Sequence, residues 1–288
     1  MNQQTIQEET WDLEIKPQSS LFELNLKEVW RYRDLMLLFV KRDFAAQFKQ
    51  TILGPLWHLA QPILTTIMFL LIFGKIANIP TDGIEPVLFY MSGIAIWNYF
   101  SSCLTATSNT FVANASIFGK VYFPRLVLPL SVVISNMARF GIQFGLLFIC
   151  MLYYSLFKNI TIQFGFNWLL IPVLVVMMAG IGLGLGIIIS SLTTKYRDFT
   201  VLIGFAVQLL MYATPIVYPL SFLANKKYAP FIEWNPLSPI VEGFRYALFR
   251  AGTFTYTSLL YSFVFMVVVL VIGAVYFSKV EKTFMDTV

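Results

Sequence analysis

The sequence predicts an all-α integral membrane protein with six transmembrane helices, an N-terminal amphipathic interfacial helix and a re-entrant helix pair before the last span. Hydrophobic residues make up 58% of the 288 residues and charged residues only 12%, about half the share in an ordinary soluble domain. Apolar stretches of about 20 residues or more, the length that crosses a bilayer, recur along the chain. The loops between these stretches are mostly short and contain many of the Lys and Arg residues.

The apolar stretches define the predicted domain boundaries. The six spans are predicted at residues 56–77, 87–112, 127–156, 168–192, 199–222 and 256–278, which together form a transmembrane domain at 56–278. Residues 26–55 are predicted to be the interfacial helix, and residues 1–25 and 279–288 the terminal tails.

The distribution of cations predicts the orientation of the chain. Most of the 20 Lys and Arg residues fall on one side of the predicted membrane, at Lys16, Lys27, Arg31, Arg33, Lys41, Arg42, Lys49, Lys120, Arg125, Lys195, Arg197, Lys279 and Lys282. Because cytoplasmic loops carry an excess of Lys and Arg, both tails are predicted to be cytoplasmic. The same bias makes FGKVYFPRLVLP, residues 118–129, a cytoplasmic loop.

The segment before the first span has the pattern of a helix that lies on the membrane surface. Apolar residues recur there at steps of three to four, and most of the charges lie elsewhere around the helix; the apolar positions include Leu26, Trp30, Leu37, Val40, Phe44 and Phe48. This pattern is typical of interfacial helices. A small soluble domain is the alternative, but so short a segment could hardly bury a core of its own.

Two spans carry patterns that predict helix packing. Polar residues crowd the cytoplasmic half of the second span and should face other helices or a wet cavity; they are Asn98, Ser101, Ser102, Thr105, Thr107, Ser108, Asn109 and Thr110. In the fourth span, GIGLGLG pairs Gly180 with Gly184 and Gly182 with Gly186, which permits close approach of neighbouring helices. This run does not match the G-x-G-x-x-G nucleotide fingerprint, so it predicts packing only.

Residues 229–250, before the last span, predict a pair of re-entrant or interfacial helices on the outer side. The stretch PIVEGFRYALF is too short to cross a bilayer and too apolar for a free loop. Glu242 and Arg245 are three positions apart within it and can pair on one helix face.

Several classes of protein are disfavoured by what the sequence lacks. No Asp or Glu falls inside the six predicted spans, which counts against a carrier driven by protons or sodium. A single histidine and two cysteines that both fall within spans give no metal or disulfide pattern. No G-x-x-x-x-G-K-[ST] motif is present, so an ATPase that drives transport must be another chain. The cations form no dense run of the kind that predicts a nucleic-acid partner.

Five stretches, in order along nearly the whole chain, carry a family resemblance. They are QFKQTILGPLWHLAQPILTTIMFLLIFG (47–74), FGKVYFPRLVLPLS (118–131), YRDFTVLIGFAVQLLMYATPIVYP (196–219), NPLSPIVEGFRYAL (235–248) and the terminal EKTFMDTV. In these stretches the chain resembles the permease subunits of ABC-type polysaccharide exporters, which handle lipopolysaccharide O-antigen, capsule and teichoic acid. The topology of that family is similar to the one predicted here.

The resemblance implies a homodimeric, non-enzymatic permease in the bacterial cytoplasmic (inner) membrane, with two copies of an ABC ATPase subunit. It implies that ATP and Mg²⁺ bind to the ATPase and that this chain binds no cofactor. The substrate would be an undecaprenyl-diphosphate-linked polysaccharide of the O-antigen type, and no nucleic acid would take part.

The resemblance also implies contacts with the ATPase. The loop at 117–125 would be a coupling helix whose contacts are Ile117, Lys120, Tyr122, Phe123 and Arg125; the alternative is a basic loop whose cations only set the topology. Arg197 and Asp198 would also touch the ATPase, or Asp198 would simply occupy the first turn of the fifth span, where a carboxylate favours the helix dipole.

For the substrate, aromatic rings that stack on sugar faces are the channel candidates; they are Phe69, Phe73, Tyr90, Trp97, Tyr212 and Tyr218, with ordinary packing as the alternative for each. Lys41, Arg42 and Lys49 would hold the lipid diphosphate or remain solvated surface charges. The outer helices, with Glu242 and Arg245, would gate the exit. Arg139 should face the bundle near Asn136 or Gln143, where it would stabilise the dimer or line the path.

The sequence is also compatible with two other functions. An ABC-type exporter of drugs or small lipids shares the six-span plan and would move a small molecule instead of a polymer. A membrane-embedded transferase would turn over substrate without a partner ATPase, although the single histidine and scattered acidic residues offer it little chemistry.

Overall fold

The computed structural model describes residues 26–48, 54–118, 123–158, 165–193, 196, 198–224, 226–227 and 229–284. This part of the chain consists of helices and connecting turns. The helices are α1 (Leu26–Arg31), α2 (Arg33–Phe48), α3 (Trp57–Phe69, continued by a π-helical segment Leu70–Ile76), α4 (Pro86–Ser108), α5 (Thr110–Ala113), α6 (Ala115–Phe118), α7 (Val127–Lys158), α8 (Leu170–Thr193), α9 (Phe199–Tyr212), α10 (Ala229–Glu233), α11 (Ser238–Phe249) and α12 (Tyr256–Phe284). An all-α fold is therefore confirmed for the described residues.

Five helical stretches are long and apolar enough to cross a membrane: Trp57–Ile76, Pro86–Ser108, Val127–Lys158, Phe166–Thr193 and Tyr256–Lys279. They coincide with five of the six predicted spans, and the third contains all of 127–156 in a helix of 32 residues. The chain therefore has the make-up of a multi-pass membrane protein.

The helix at the fifth predicted span is shorter than predicted. Its helix, α9, is only 14 residues long and ends at Tyr212 instead of reaching residue 222. At about 1.5 Å per residue such a helix is about 21 Å long, which is shorter than the hydrocarbon core of about 30 Å. Pro215 and Pro219 explain the early end, because proline lacks a backbone N–H and disfavours helical backbone at the residue before it. A total of six crossings stays a prediction.

The fourth span packs against two helices through its glycines, as predicted. An added Cβ on Gly184 would lie 2.9 Å from Cγ1 of Val269 on α12, and one on Gly186 would lie 2.6 Å from Cβ of Thr107 on α4. The two overlapping glycine pairs thus face different neighbours, with Gly180 also against α12 and Gly182 also against α4. Helix α8 can approach both helices closely because glycine has no side chain at these four positions.

Two helices precede the last span, where the sequence predicts a re-entrant pair. The first, α10, has five residues, and the second, α11, has 12 residues and is buried along most of its length. It packs against α4, α8 and α12. Whether the pair enters the membrane stays a prediction, as does the position of α1 and α2 at its surface.

The N-terminal helices pack on the transmembrane bundle through one side. Helix α2 contacts α7, and Phe39 and Val29 are buried in a cluster that also contains Phe123 and Phe277. By contrast, Trp30 is 68% exposed and Leu37 is 53% exposed, although both are apolar. A single turn residue, Tyr32, separates α1 from α2, and residues 49–53 of the predicted interfacial helix lie outside the described residues.

Candidate functional site

A polar cavity of about 220 Å³ lies between α3, α4 and α7, within the apolar bundle. Its lining comes from the start of α3, the middle of α4 and the first half of α7, and includes His58, Gln61, Asn98, Ser101, Ser102, Asn136, Arg139 and Gln143. The Nδ2 of Asn98 donates a hydrogen bond to Oε1 of Gln143, at 3.3 Å. This cavity is where part of the polar half of the second span faces, as predicted.

Arg139 and Asn136 join this cavity to a second pocket of about 220 Å³ beneath α2. Asp43 and Ala46 of α2 line that pocket together with Ser135 of α7. Arg139 therefore faces the bundle near Asn136 and Gln143, as predicted from the cost of a cation in hydrocarbon. Neither His58 nor Gln61 was predicted to line this site, because one His or Gln within an apolar segment gives no sequence pattern that indicates a cavity.

Arg245 of α11 forms a buried clamp on the turns that follow α9. Its Nη1 donates to the carbonyl of Pro215 and its Nη2 to that of Ile216, both at 2.6 Å. Its guanidinium lies 3.7 Å from the ring centroid of Phe89 on α4. The arginine is only 1% exposed, so these contacts are fully shielded from solvent.

Glu242 completes the clamp as the predicted partner of Arg245. Nη1 of Arg245 lies 3.2 Å from Oε1 of Glu242, and both side chains are 1% exposed. Burial raises the pKa of Glu242 and lowers that of Arg245 to about 10, and each charge opposes the shift of the other. The backbone N–H of Leu220 also donates to Oε1 of Glu242, at 3.4 Å. The clamp thus fixes the chain on both sides of Pro219.

Asn235, before α11, holds the same turns from another direction. Its Nδ2 donates to the carbonyl of Ala213 at 2.8 Å and to Oγ1 of Thr214 at 3.0 Å. The hydroxyl of Tyr218 donates to the carbonyl of Tyr212 at 2.7 Å. Carbonyls that lost helical partners at the end of α9 are therefore hydrogen-bonded by side chains.

The predicted coupling loop begins at α6 and rejoins the described structure at Phe123. The Phe123 side chain is 4% exposed and its ring centroid is 5.8 Å from that of Phe39 on α2. Arg125 is 8% exposed, and Ile117 is half-buried against the same cluster. Lys120 and Tyr122 lie outside the described residues. The loop is thus attached to α2 at its C-terminal side.

The predicted channel aromatics have different environments. Phe69, Tyr90 and Trp97 are buried in the main core, where Phe69 and Tyr90 have ring centroids 6.3 Å apart. Phe73 and Tyr218 are half-buried, and Tyr212 is 49% exposed. The structure does not bring the six rings together on one surface of the chain, and their role in a channel stays a prediction.

The remaining predicted contacts lie on the surface. Lys41 and Arg42 are exposed on α2, and Arg42 pairs with Asp43 at 2.8 Å while its guanidinium lies 4.8 Å from the ring centroid of Phe39. Asp198 is exposed immediately before α9. Lys49 and Arg197 lie outside the described residues.

Comparison with known proteins agrees with this architecture. The family model for the ABC-2 type transporter matches residues 34–249, from α2 to the end of α11. The chain belongs to the ABC-2 type transporter family. Membership places it in a membrane, as a permease that works with an ABC ATPase, and the match covers both the polar cavity and the Arg245 clamp.

Individual relatives of this ABC-2 permease carry more specific names. The chain is 27% identical over 253 residues to the O-antigen export system permease protein RfbA of Klebsiella pneumoniae, which covers 88% of this chain and 94% of that protein. It is 25% identical to the RfbA of Myxococcus xanthus over 223 residues, 76% of this chain and 82% of that protein. It is 24% identical to the polysialic acid transport protein KpsM of Escherichia coli over 252 residues, 85% of this chain and 93% of that protein. The resemblance to polysaccharide-export permeases is confirmed.

Proposed function

We propose that this permease is the transmembrane subunit of an ATP-driven exporter that moves undecaprenyl-diphosphate-linked polysaccharide of the O-antigen type across the bacterial cytoplasmic membrane. The observation that carries the proposal is the match along most of both chains to permeases named for O-antigen export. The more distant match to a polysialic acid transport protein supports the same class of substrate, a polymer of sugars. Two copies of this chain would pair with two copies of an ABC ATPase subunit, which would bind ATP and Mg²⁺.

The loop at 117–125 is proposed to transmit movement of the ATPase into the membrane domain. Phe123 supports this role by its burial against Phe39, because a displaced loop would pull on α2. Lys120, Tyr122 and Arg197 would contact the ATPase, together with Asp198, which is exposed in the described structure. Phe123 would act from inside the chain, as an anchor of the loop.

The substrate is proposed to enter at the membrane surface and to leave between the outer helices. Lys41 and Arg42 are exposed cations on α2 that suit a diphosphate, and Lys49 belongs to the same proposed group. Tyr212 keeps about half of its surface open, which favours it among the aromatic residues as one that can stack on sugars. Glu242 and Arg245 would set the outer gate through the turns that they clamp.

Deletion of the gene in the host bacterium tests the proposed function. We expect long-chain polysaccharide to disappear from the cell surface while lipid-linked polymer accumulates inside, because synthesis continues without export. Fractionation and polysaccharide electrophoresis measure both pools, and re-expression of the wild-type chain should restore export.

Unchanged surface polymer would contradict the proposal. Loss of export of a drug or small lipid without any change in polymer would favour an exporter of small molecules, and substrate turnover by the purified chain alone would favour a transferase.

The combined change Tyr122→Ala and Phe123→Ala is expected to reduce export at least several-fold, because it removes the aromatic anchor and a proposed ATPase contact. Pull-down of the ATPase with the permease, alongside the export assay, measures the effect. The matched control is Tyr153→Ala with Phe157→Ala, which removes the same residue types from exposed positions near the other end of α7. Export and ATPase association equal to those of the control would rule out the coupling role. Lys120→Glu with Tyr122→Ala leaves Phe123 in place and provides a second test if the first variant does not fold.

A further inference from the structure

Buried hydrogen bonds join the end of α8 to the break between α4 and α5. The hydroxyl of Thr193, the last residue of α8, donates to the carbonyl of Ser108, the last residue of α4, at 3.2 Å. The backbone N–H of Phe111, in the short helix α5, donates to Oγ of Ser190 at 3.4 Å. These four residues are at most 1% exposed, so water does not compete for the bonds. They are called the α4–α8 junction below.

The break between α4 and α5 explains why these backbone groups take partners from another helix. The carbonyl of Ser108 is the last of α4 and the N–H of Phe111 is the second of α5, so neither has a partner within its own helix. A buried backbone group that is left unpaired destabilises the fold. Two side chains of α8 supply one donor and one acceptor, which fixes α8 against the break. The Thr193 hydroxyl also lies 2.9 Å from the carbonyl of Ser190, so its single hydrogen is shared between two acceptors.

Aromatic packing extends the junction to α12 and to the far end of the predicted coupling loop. The ring of Phe111 stacks on that of Phe277 of α12, with centroids 4.5 Å apart and an interplanar angle of 24°. Phe123, on the C-terminal side of the loop, is buried in the same cluster. The chain before the loop and the chain after it are therefore anchored at one place in the bundle.

The junction lies directly before the two segments that are proposed to contact the ATPase. Ile117 of α6 follows Phe111 by six positions, and most of the residues between them belong to α5 and α6. Tyr196 follows Thr193 by three positions, and its N–H donates to the carbonyl of Leu192 in the last turn of α8 at 3.0 Å. A displacement of either segment would thus reach the other through contacts between packed helices.

A neighbouring hydroxyl shows that burial at this level does not by itself produce a hydrogen bond between helices. Thr107 of α4 is fully buried, and its Oγ1 has no hydrogen-bond partner among the described residues. Its methyl group packs on α8, where an added Cβ on Gly186 would lie 2.9 Å from Cγ2 of Thr107. Thr107 therefore packs against α8 without a bond, whereas Ser190 and Thr193 bond to the α4–α5 break.

We propose that Ser190 and Thr193 are positioning residues that make the loop at 117–125 and the segment at 196–199 move as one unit when the ATPase acts. The inference rests on the proposed function, because that function assigns both segments to contacts with an ABC ATPase. Hydrogen bonds are directional, so they keep the end of α8 in register with the α4–α5 break. The stack on Phe277 carries the same displacement to α12.

Hydrogen exchange of the full-length permease in detergent, measured by mass spectrometry, tests the junction without ATPase or substrate. Ser190→Ala with Thr193→Val removes both α8 hydroxyls. It is expected to speed exchange in residues 109–118 roughly fivefold to tenfold, because the Phe111 N–H loses its acceptor and the segment loses its attachment to α8. Thr193→Ser keeps the hydroxyl and should exchange like the wild type. Thr107→Val removes a buried hydroxyl without a partner among the described residues, so this matched control should change nothing.

The role in transport is measured as polysaccharide export relative to ATP hydrolysis by the purified complex of permease and ATPase. We expect the double variant to keep ATPase association and hydrolysis but to lower this ratio several-fold, whereas a loss of folded protein would lower export and hydrolysis together. Thr193→Ser should keep most of the ratio. Ser190→Ala alone replaces the double variant if that variant does not fold. A ratio equal to that of Thr107→Val, or unchanged exchange in residues 109–118, would overturn the positioning role.

The two measurements separate this inference from the proposed function. If the deletion strain exports polymer normally while exchange responds as expected, the proposed function fails and the junction stands. If the deletion strain loses export but the double variant changes neither exchange nor the ratio, the proposed function stands and the junction fails.

Discussion

Replacing Arg245 by alanine is expected to destabilise the permease by about 3–5 kcal/mol, because it leaves the buried carboxylate of Glu242 without its counter-charge. The same change removes the two donors that hold the carbonyls of Pro215 and Ile216. It also removes the cation packed over the ring of Phe89. Thermal denaturation of the purified protein in detergent measures the loss, and export should fall with the amount of folded protein.

Three comparisons separate the role of the buried pair from the loss of any ion pair. Lys158→Ala breaks the exposed pair between Lys158 and Glu85, whose charged atoms are 3.9 Å apart, and should cost no more than about 1 kcal/mol. Arg245→Met with Glu242→Met removes both buried charges and should recover part of the stability lost in Arg245→Ala. Arg245→Lys keeps the charge but cannot span both carbonyls, so it should be intermediate. A cost for Arg245→Ala as small as that for Lys158→Ala would contradict the clamp.

Replacing Gly184 by alanine is expected to destabilise the helix bundle by about 1–3 kcal/mol, the usual cost of overpacking a close-packed interface. The new Cβ would lie 3.0 Å from the backbone nitrogen of Leu270 and 3.0 Å from the backbone carbon of Val269. Since these are backbone atoms, rotation of a side chain cannot relieve the contact and α8 must move away from α12. Gly273 of α12 also packs on this site, where an added Cβ would be 2.8 Å from the carbonyl oxygen of Gly184.

The matched control for this prediction is Gly145→Ala in α7, where nothing lies within 4 Å of the added Cβ. That change should be neutral or stabilise the helix by up to about 1 kcal/mol, because alanine favours helix more than glycine does. The midpoint of thermal denaturation in detergent compares the two variants directly. Equal midpoints for Gly184→Ala and Gly145→Ala would show that close packing at α8 is not required.

Local patterns in the sequence were sufficient to predict where most of the helices lie along the chain. A helix hydrogen-bonds its own backbone N–H and C=O groups, so a long apolar run in lipid has few alternatives to a spanning helix. The close packing at the glycine run was also predictable from local spacing, because residues four positions apart lie on the same face of a helix. The early end of α9 was also encoded locally, by Pro215 and Pro219, but their effect was underestimated because the apolar run continues through them.

The partners of individual side chains were much less predictable. Glu242 and Arg245 form the pair expected from their spacing. The sequence did not indicate that Arg245 also clamps two carbonyls 29 to 30 positions earlier in the chain. The burial of Phe123 against Phe39 was likewise missed, because it joins segments that are far apart in the sequence.

By itself, therefore, the sequence determined the membrane character, the helical fold, the approximate spans and the family resemblance. These follow from composition and from contacts within one helix, which depend on residues three or four positions apart. Only the tertiary structure decided that Asn136 and Arg139 meet His58 and Asn98 around one polar cavity. The physical reason is that a cavity forms where faces of three helices meet, and the rotation of each helix about its axis is set by packing against the others.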